Sequence, residues 1–279
     1  MSDQATRLRE IAQRFELRDR LSSPRVMVVT SGKGGVGKST VALNLALTLG
    51  EAGQKVLLVD ADTNLGSIDI MLGVSPRFRM GEVLRGEADL EDVLFTPAKN
   101  LRVLPASSGD AEHPDLTEGD VDRMFADIAT LHERPTVVLV DTGAGMHREV
   151  MAYCMKADEL LVVAGPEPTS VMDAYAMMKV VWAERPEASL SLVLNNVRTS
   201  AEAEEVGGKL SQAVRHFLKR ELVILGAVPA DQSVQRAVLQ QLPLVKAFPR
   251  SPASLAFRSL ASQVSMDVQR NIERRVMSL

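Results

Sequence analysis

The stretch Ser31-Gly32-Lys33-Gly34-Gly35-Val36-Gly37-Lys38-Ser39-Thr40 constrains the fold of this 279-residue chain more than any other. It follows an apolar run, Val26–Thr30, and opens a helical pattern over Val41–Leu49. That is the strand, loop and helix order in which G-x-x-x-x-G-K-[ST] cradles phosphate. Glycines let the backbone bend until its N–H groups face one ligand, and the helix N-terminus adds the positive end of its dipole. The pattern assigns Gly32, Lys33, Gly34, Gly35, Val36, Gly37, Lys38, Ser39 and Thr40 to a nucleotide's phosphates. Lys38 would reach the β and γ phosphates, and the Ser39 hydroxyl would ligate Mg²⁺. From average residue usage the bare pattern arises by chance on the order of once per hundred chains this long, so the strand and helix around it carry much of its weight.

Similar apolar runs recur at Lys55–Val59, Leu101–Leu104, Thr136–Val140, Glu159–Ala164, Leu190–Leu194 and Leu222–Val228, separated by helix-like stretches. The expected fold is α/β, a mostly parallel, doubly wound sheet with helices on both faces. Strands covered on both faces are hydrophobic throughout, as these are. Ligands in such sheets bind beyond the carboxyl ends of the strands, where Asp60, Asp62, Asp141, Asn195 and Asn196 stand.

Two segments fall outside the alternation. Leu8, Ile11, Ala12 and Phe15 share one helical face within Met1–Leu21, which breaks at Ser22-Ser23-Pro24. After Phe257 a helical tail carries Val268, Ile272, Val276 and Leu279 on one stripe beside Arg270 and Arg274, a pattern that predicts reversible contact with a membrane surface. The expected organisation is an amphipathic helix and linker over 1–23, a nucleotide domain over 24–257 and a tail over 258–279.

With 46% hydrophobic residues the chain can bury one large core. A net charge of −4, with basic residues dispersed, gives no composition signal for nucleic acid. Cys154 is the single cysteine, and His113, His132, His147 and His216 lack ligand-like spacing, so neither a disulfide nor a structural metal is expected. No apolar run approaches the roughly 18 residues that span a bilayer, and residues 1–23 lack the apolar core of a signal peptide. The expected location is the cytoplasm, peripheral at the membrane in one nucleotide state.

Lys33 makes the loop K-G-G-V-G-K-[ST], which resembles the deviant Walker A loop of the MinD/ParA ATPases. The resemblance implies ATP and Mg²⁺ as cofactors, slow hydrolysis to ADP and phosphate, and an ATP-dependent homodimer in which Lys33 crosses to the partner's nucleotide. Asp60-Ala61-Asp62-Thr63-Asn64-Leu65-Gly66-Ser67-Ile68-Asp69 resembles the switch I segment of that family. By this likeness Asp62 orients or deprotonates the attacking water and Asp60 sits near Mg²⁺. Ser67 stands where many relatives have Asn. Val137–Gly145 is similar to Walker B and switch II, which implies that Asp141 holds the Mg²⁺ hydration shell. Asn195 and Asp231 fall in segments that resemble the family's adenine-reading elements. Cys154, in the helix that follows, reads as packing.

A lone cysteine argues against the iron–sulfur branches, and only Tyr153 and Tyr175 occur where tyrosine-kinase branches carry clusters. Asp3-Gln4-Ala5-Thr6-Arg7-Leu8-Arg9 is similar to the N-terminal D-Q-A-x-x-L-R element of the flagellar branch, FlhG or FleN. Pro166–Tyr175 and Ala247–Phe257 resemble further stretches of the same branch. The likeness implies control of flagellar number or placement, with Gln4 helping residues 1–21 to stimulate the GTPase FlhF. Flagellar C-ring proteins or a flagellar transcription activator are the other implied partners. The alternatives are a ParA-like DNA-partition ATPase and a MinD-like division-site regulator.

Overall fold

The computed structural model describes residues 23–62, 66–107 and 116–277, with side chains described as far as 266. Its strands are β1 (Arg25–Thr30), β2 (Val56–Ala61), β3 (Phe95–Ala98), β4 (Leu101–Leu104), β5 (Val137–Thr142), β6 (Glu159–Ala164), β7 (Leu190–Val197) and β8 (Val223–Pro229). They form one sheet in the order β3-β4-β2-β5-β1-β6-β7-β8. Every neighbouring pair is parallel except β3 and β4. From β1 the chain crosses to β2 and on to β3 and β4 on one side. It returns to insert β5 between β2 and β1, and then runs out through β6, β7 and β8 on the other, so a crevice opens beyond the carboxyl ends of the central strands.

The helices are α1 (Lys38–Glu51), α2 (Ile68–Leu72), α3 (Met80–Leu84), α4 (Leu90–Val93), α5 (Glu118–Thr130), α6 (Arg148–Lys156), α7 (Pro168–Glu184), α8 (Ser200–Ala213), α9 (Gln232–Leu239), α10 (Leu244–Ala247) and α11 (Pro252–Met277). The period of two along each strand divides the core. Val28 joins Val138, Val140, Leu160 and Val162 beneath α5 to α8. Met27 and Val29 join Leu58, Leu139 and Leu161 beneath α1, α9, α10 and α11. Both faces are therefore apolar, which is why the strand sequences show no alternation.

The sequence reading places each parallel strand within a few residues of its observed bounds. It misses β3, a four-residue edge strand with Pro97 that pairs antiparallel with β4; proline is tolerated there because an edge leaves a ladder position unpaired. The tail also differs. Helix α11 starts at Pro252 and runs through the expected boundary at 257, with Phe257, Leu260, Ala261 and Val264 buried against α1 and β8. The N-terminal helix expected over 1–21 lies outside the described residues. Among the described residues no helix is long and apolar enough to cross a membrane.

Candidate functional site

Gly37 ends the loop and caps α1 with φ 87°, a left-handed conformation that only glycine adopts without strain. A Cβ there would also collide with the Asn195 amide. The first helical bond, Val41 N–H to the Gly37 carbonyl, spans 2.9 Å, and the next residues, Lys38 and Ser39, turn toward the sheet's carboxyl edge.

Three neighbours hold the loop. The Gly145 N–H donates to the Ser31 carbonyl at 2.9 Å, which joins the loop to the turn after β5. The Asn195 amide, at the end of β7, donates to the Val36 carbonyl at 2.8 Å. On the third side Gly32 packs so closely on the Asp173 backbone of α7 that a Cβ would overlap it. Beside that contact the Lys33 ammonium donates to the Thr169 hydroxyl at 2.9 Å, in an exposed position. A preformed loop loses less order when a ligand arrives, so these ties favour binding.

The parallel register sets Asp60 of β2 opposite Asp141 of β5 at the carboxyl edge. Asp60 accepts backbone N–H bonds from Ser67 at 3.0 Å, Ile68 at 3.1 Å and Asp62 at 3.2 Å, and so shapes the chain that leaves β2. Burial pushes its carboxyl above the ordinary range against the pull of those bonds. Asp141 is fully buried, and neither of its oxygens has a hydrogen-bond partner. Burial first, then the charge of Asp60, raises its pKa, opposed by nearby Ser39 and Lys38. Two facing buried carboxylates, one of them unpartnered, cost folding free energy unless a cation or proton compensates them.

That donor set fits Mg²⁺, which takes one or two carboxylates, keeps several waters and shares the phosphates of a nucleotide. Ser39, Asp60 and Asp141 would hold it there, and it would neutralise charge between β and γ phosphates. Lys38, buried beside Asp141, would face the same phosphates. The Asp62 carboxylate is half-buried against Gly143 in the turn after β5, next to where the γ phosphate would end.

The CobQ/CobB/MinD/ParA nucleotide binding domain matches residues 27–244. The chain belongs to this family. Among MinD/ParA relatives it is 36% identical over 240 residues to the antiactivator FleN of Pseudomonas aeruginosa, covering 86% of each chain. It is 29% identical over 265 residues to the flagellum site-determining protein YlxH of Helicobacter pylori, covering 94% of this chain and 90% of that one. The septum site-determining protein MinD of Pyrococcus horikoshii, solved with Mg-ADP, superposes with a TM-score of 0.70 at 28% identity, over 86% of this chain and 96% of that one.

The MinD/ParA fold thus brings together most of the residues read from the sequence: Gly32–Thr40, Asp60, Asp62, Asp141 and Asn195. Asp231 has a structural role of its own. It caps α9, with one oxygen accepting from the Ser233 N–H at 2.8 Å and the other from the Ala253 N–H at 3.1 Å, which ties β8's exit to α11. Gln4 and residues Thr63–Leu65 lie outside the described residues. Cys154 is core packing, with burial pushing its thiol up to about 12. Sequence reading missed Thr169 as the partner of Lys33, and it missed Arg79. The Arg79 guanidinium donates to Asp69 at 2.8 Å just after the segment that Asp60 organises. Thr169 lies in the quoted Pro166–Tyr175 stretch, which is a usable signal; nothing local marks Arg79.

Proposed function

We propose that this chain is a slow Mg-ATPase that dimerises in its ATP state and regulates flagellar number or placement. The observation that carries the switch is the unpartnered, buried Asp141 beside Lys38, with the second lysine, Lys33, on the same loop. Lys38 and the loop amides bind the phosphates, Ser39, Asp60 and Asp141 hold Mg²⁺ and its waters, and Asp62 aims the attacking water. Phosphoryl transfer needs mainly such positioning and charge compensation. Lys33 then reaches the partner's nucleotide, where the extra charge of ATP over ADP strengthens its hold. Similarity to FleN and to the flagellum site-determining YlxH supports the flagellar reading, as does the Asp3–Arg9 element. Its partners on this reading are FlhF, through Gln4 and residues 1–21, and a C-ring protein or a flagellar transcription activator.

Two measurements test it. Wild type with Mg-ADP should run as a monomer, and Asp62→Ala with Mg-ATP as a stable dimer that hardly turns over; a monomer in both sinks the switch. The same Asp62→Ala dimer should capture flagellar components from a flagellated cell, whereas ATP-dependent retention on DNA would replace the flagellar reading with partition. Membrane contact belongs to the same cycle, since pairing two weak tails raises avidity. Liposome sedimentation should show ATP-dependent binding of the full chain and little for a chain ending at Met266, which keeps the buried Val264. Equal sedimentation would remove the tail from this role.

A further inference from the structure

Helices α3, α4 and α5 enclose a groove of about 560 Å³ on the face away from α1. Val83, Leu84, Ala88 and Leu131 give it an apolar floor, and Asp89 and Asp127 stand along it. Its cations are compensated, Arg85 by Glu82 and Glu87 and Arg123 by Asp120. Asp89 and Asp127 enter no ion pair among the described residues, so the groove offers an apolar floor with two free carboxylates. We propose that the occupant is this chain's own N-terminal segment, residues 1–21, seated in cis.

Pattern, charge and connectivity all favour that segment. Leu8, Ile11 and Phe15 would form one apolar stripe in a helix, and Arg7, Arg14 and Arg18, spaced seven and four residues apart, border it on one side. The stripe matches the floor and the arginines match the carboxylates, a helix-in-groove arrangement. The described chain also begins beside the groove. The Arg25 N–H donates to the Thr136 carbonyl at 2.9 Å, and Thr136 follows Leu131 of the groove by five residues, a span of at most about 18 Å. Extended, the six residues from Asp19 to Pro24 reach about 20 Å, enough to cover that span.

Helix α3 joins the groove to the nucleotide site. At its N-terminal end Arg79 holds Asp69, and the Tyr153 hydroxyl of α6 contacts the Met80 sulfur at 3.9 Å. Its other end lines the groove. Helix α3 thus offers a route between groove and nucleotide site, and any coupling along it would be reciprocal. A seated segment is withheld from any partner, so the groove regulates when residues 1–21 become available. The proposal extends the partner role above without depending on it, because cross-linking and cleavage are read on this chain alone, with no partner protein.

Cys154 is buried and unreactive, so paired cysteines report cleanly in the full chain. Leu8→Cys, Ile11→Cys and Phe15→Cys, each combined with Ala88→Cys, are oxidised at low protein concentration. At least one pair should close within a single chain, since a disulfide requires Cα atoms within about 7 Å. Trypsin should cut at Arg14 and Arg18 about tenfold faster in Ala88→Arg, and in the charge-reversed Asp89→Lys/Asp127→Lys chain, than in wild type. Retained nucleotide binding shows that these variants fold. The proposal is overturned if no pair closes and all three chains are cut at one rate. It is equally overturned if cross-links form only between chains and rise with concentration, which assigns the groove to a second copy's segment.

Discussion

At the scale of single residues, the site stores its function as instability. Asp141 has a raised pKa, chiefly from burial, so folding favours its protonated form. The stability that this proton contributes is fully present below the carboxylate's unfolded value and is lost as pH rises through the folded one. Without nucleotide and Mg²⁺, wild type should therefore weaken from pH 5 towards pH 8. Asp141→Asn removes one of the two buried carboxyls and leaves Asp60, also raised by burial, so its Tm should fall less over that window and the gap between the two should widen with pH while the variant loses Mg-ATP binding. Parallel pH profiles would show that Asp141 is compensated in some other way. The carboxylates were legible in the sequence because each ends an apolar run, and a strand end is where this fold gathers ligands. The Lys33–Thr169 bond was not, since its partners stand 136 residues apart and meet only through the order of strands around β1.

Elements were legible in proportion to how much of their pattern burial dictates. The central strands lie between two helical layers, so apolar runs mark them directly. The edge strand β3 has no fully buried residue and only four residues, too short for any period. The helix α11 hides its boundary because Phe257, Leu260, Ala261 and Val264 repeat at helical spacing without a break. Short helices carry a subtler load. The α3 N-terminus reaches back through Arg79 to Asp69, whose exposure in the side chain is only 8%, and to the Ala106 carbonyl at 3.4 Å. Arg79 touches no reacting atom by this geometry; it positions the segment that Asp60 and Asp62 begin. A charge-assisted bond of this kind is worth about 1.5–3 kcal/mol. Arg79→Gln should thus lower kcat by roughly tenfold or more with nucleotide affinity nearly unchanged, and Arg79→Lys should recover part of it. A fall in affinity equal to the fall in kcat would mean that Arg79 serves only the fold.

For the whole molecule, the proposed switch requires something that keeps the protein from dimerising before ATP arrives. Lys33 is already committed within its own chain, to Thr169 at the start of α7, where Gly32 is pressed against the Asp173 backbone. To reach a partner's nucleotide it must leave that hydroxyl, so the intrachain bond and the interface compete for one ammonium. The competition sits at the point where the loop, the turn after β5 and α7 converge, and on the proposed switch it would link nucleotide binding in one chain to contact with another. An exposed hydrogen bond of this type contributes about 0.5–1 kcal/mol, which is about a two- to fivefold bias towards the monomer. Thr169→Val keeps the shape and removes the acceptor. It should lower the ATP concentration at half-dimerisation by about that factor while leaving monomer affinity for ADP as it is, whereas Lys33→Met should bind nucleotide and stay monomeric at any ATP concentration. Sedimentation velocity across an ATP titration, run on both variants in the Asp62→Ala background to prevent turnover, reads both effects. If Thr169→Val leaves the midpoint unmoved, the bond does not hold Lys33 back. If Lys33→Met dimerises like its parent, the second lysine is not the group that carries ATP's signal across the interface.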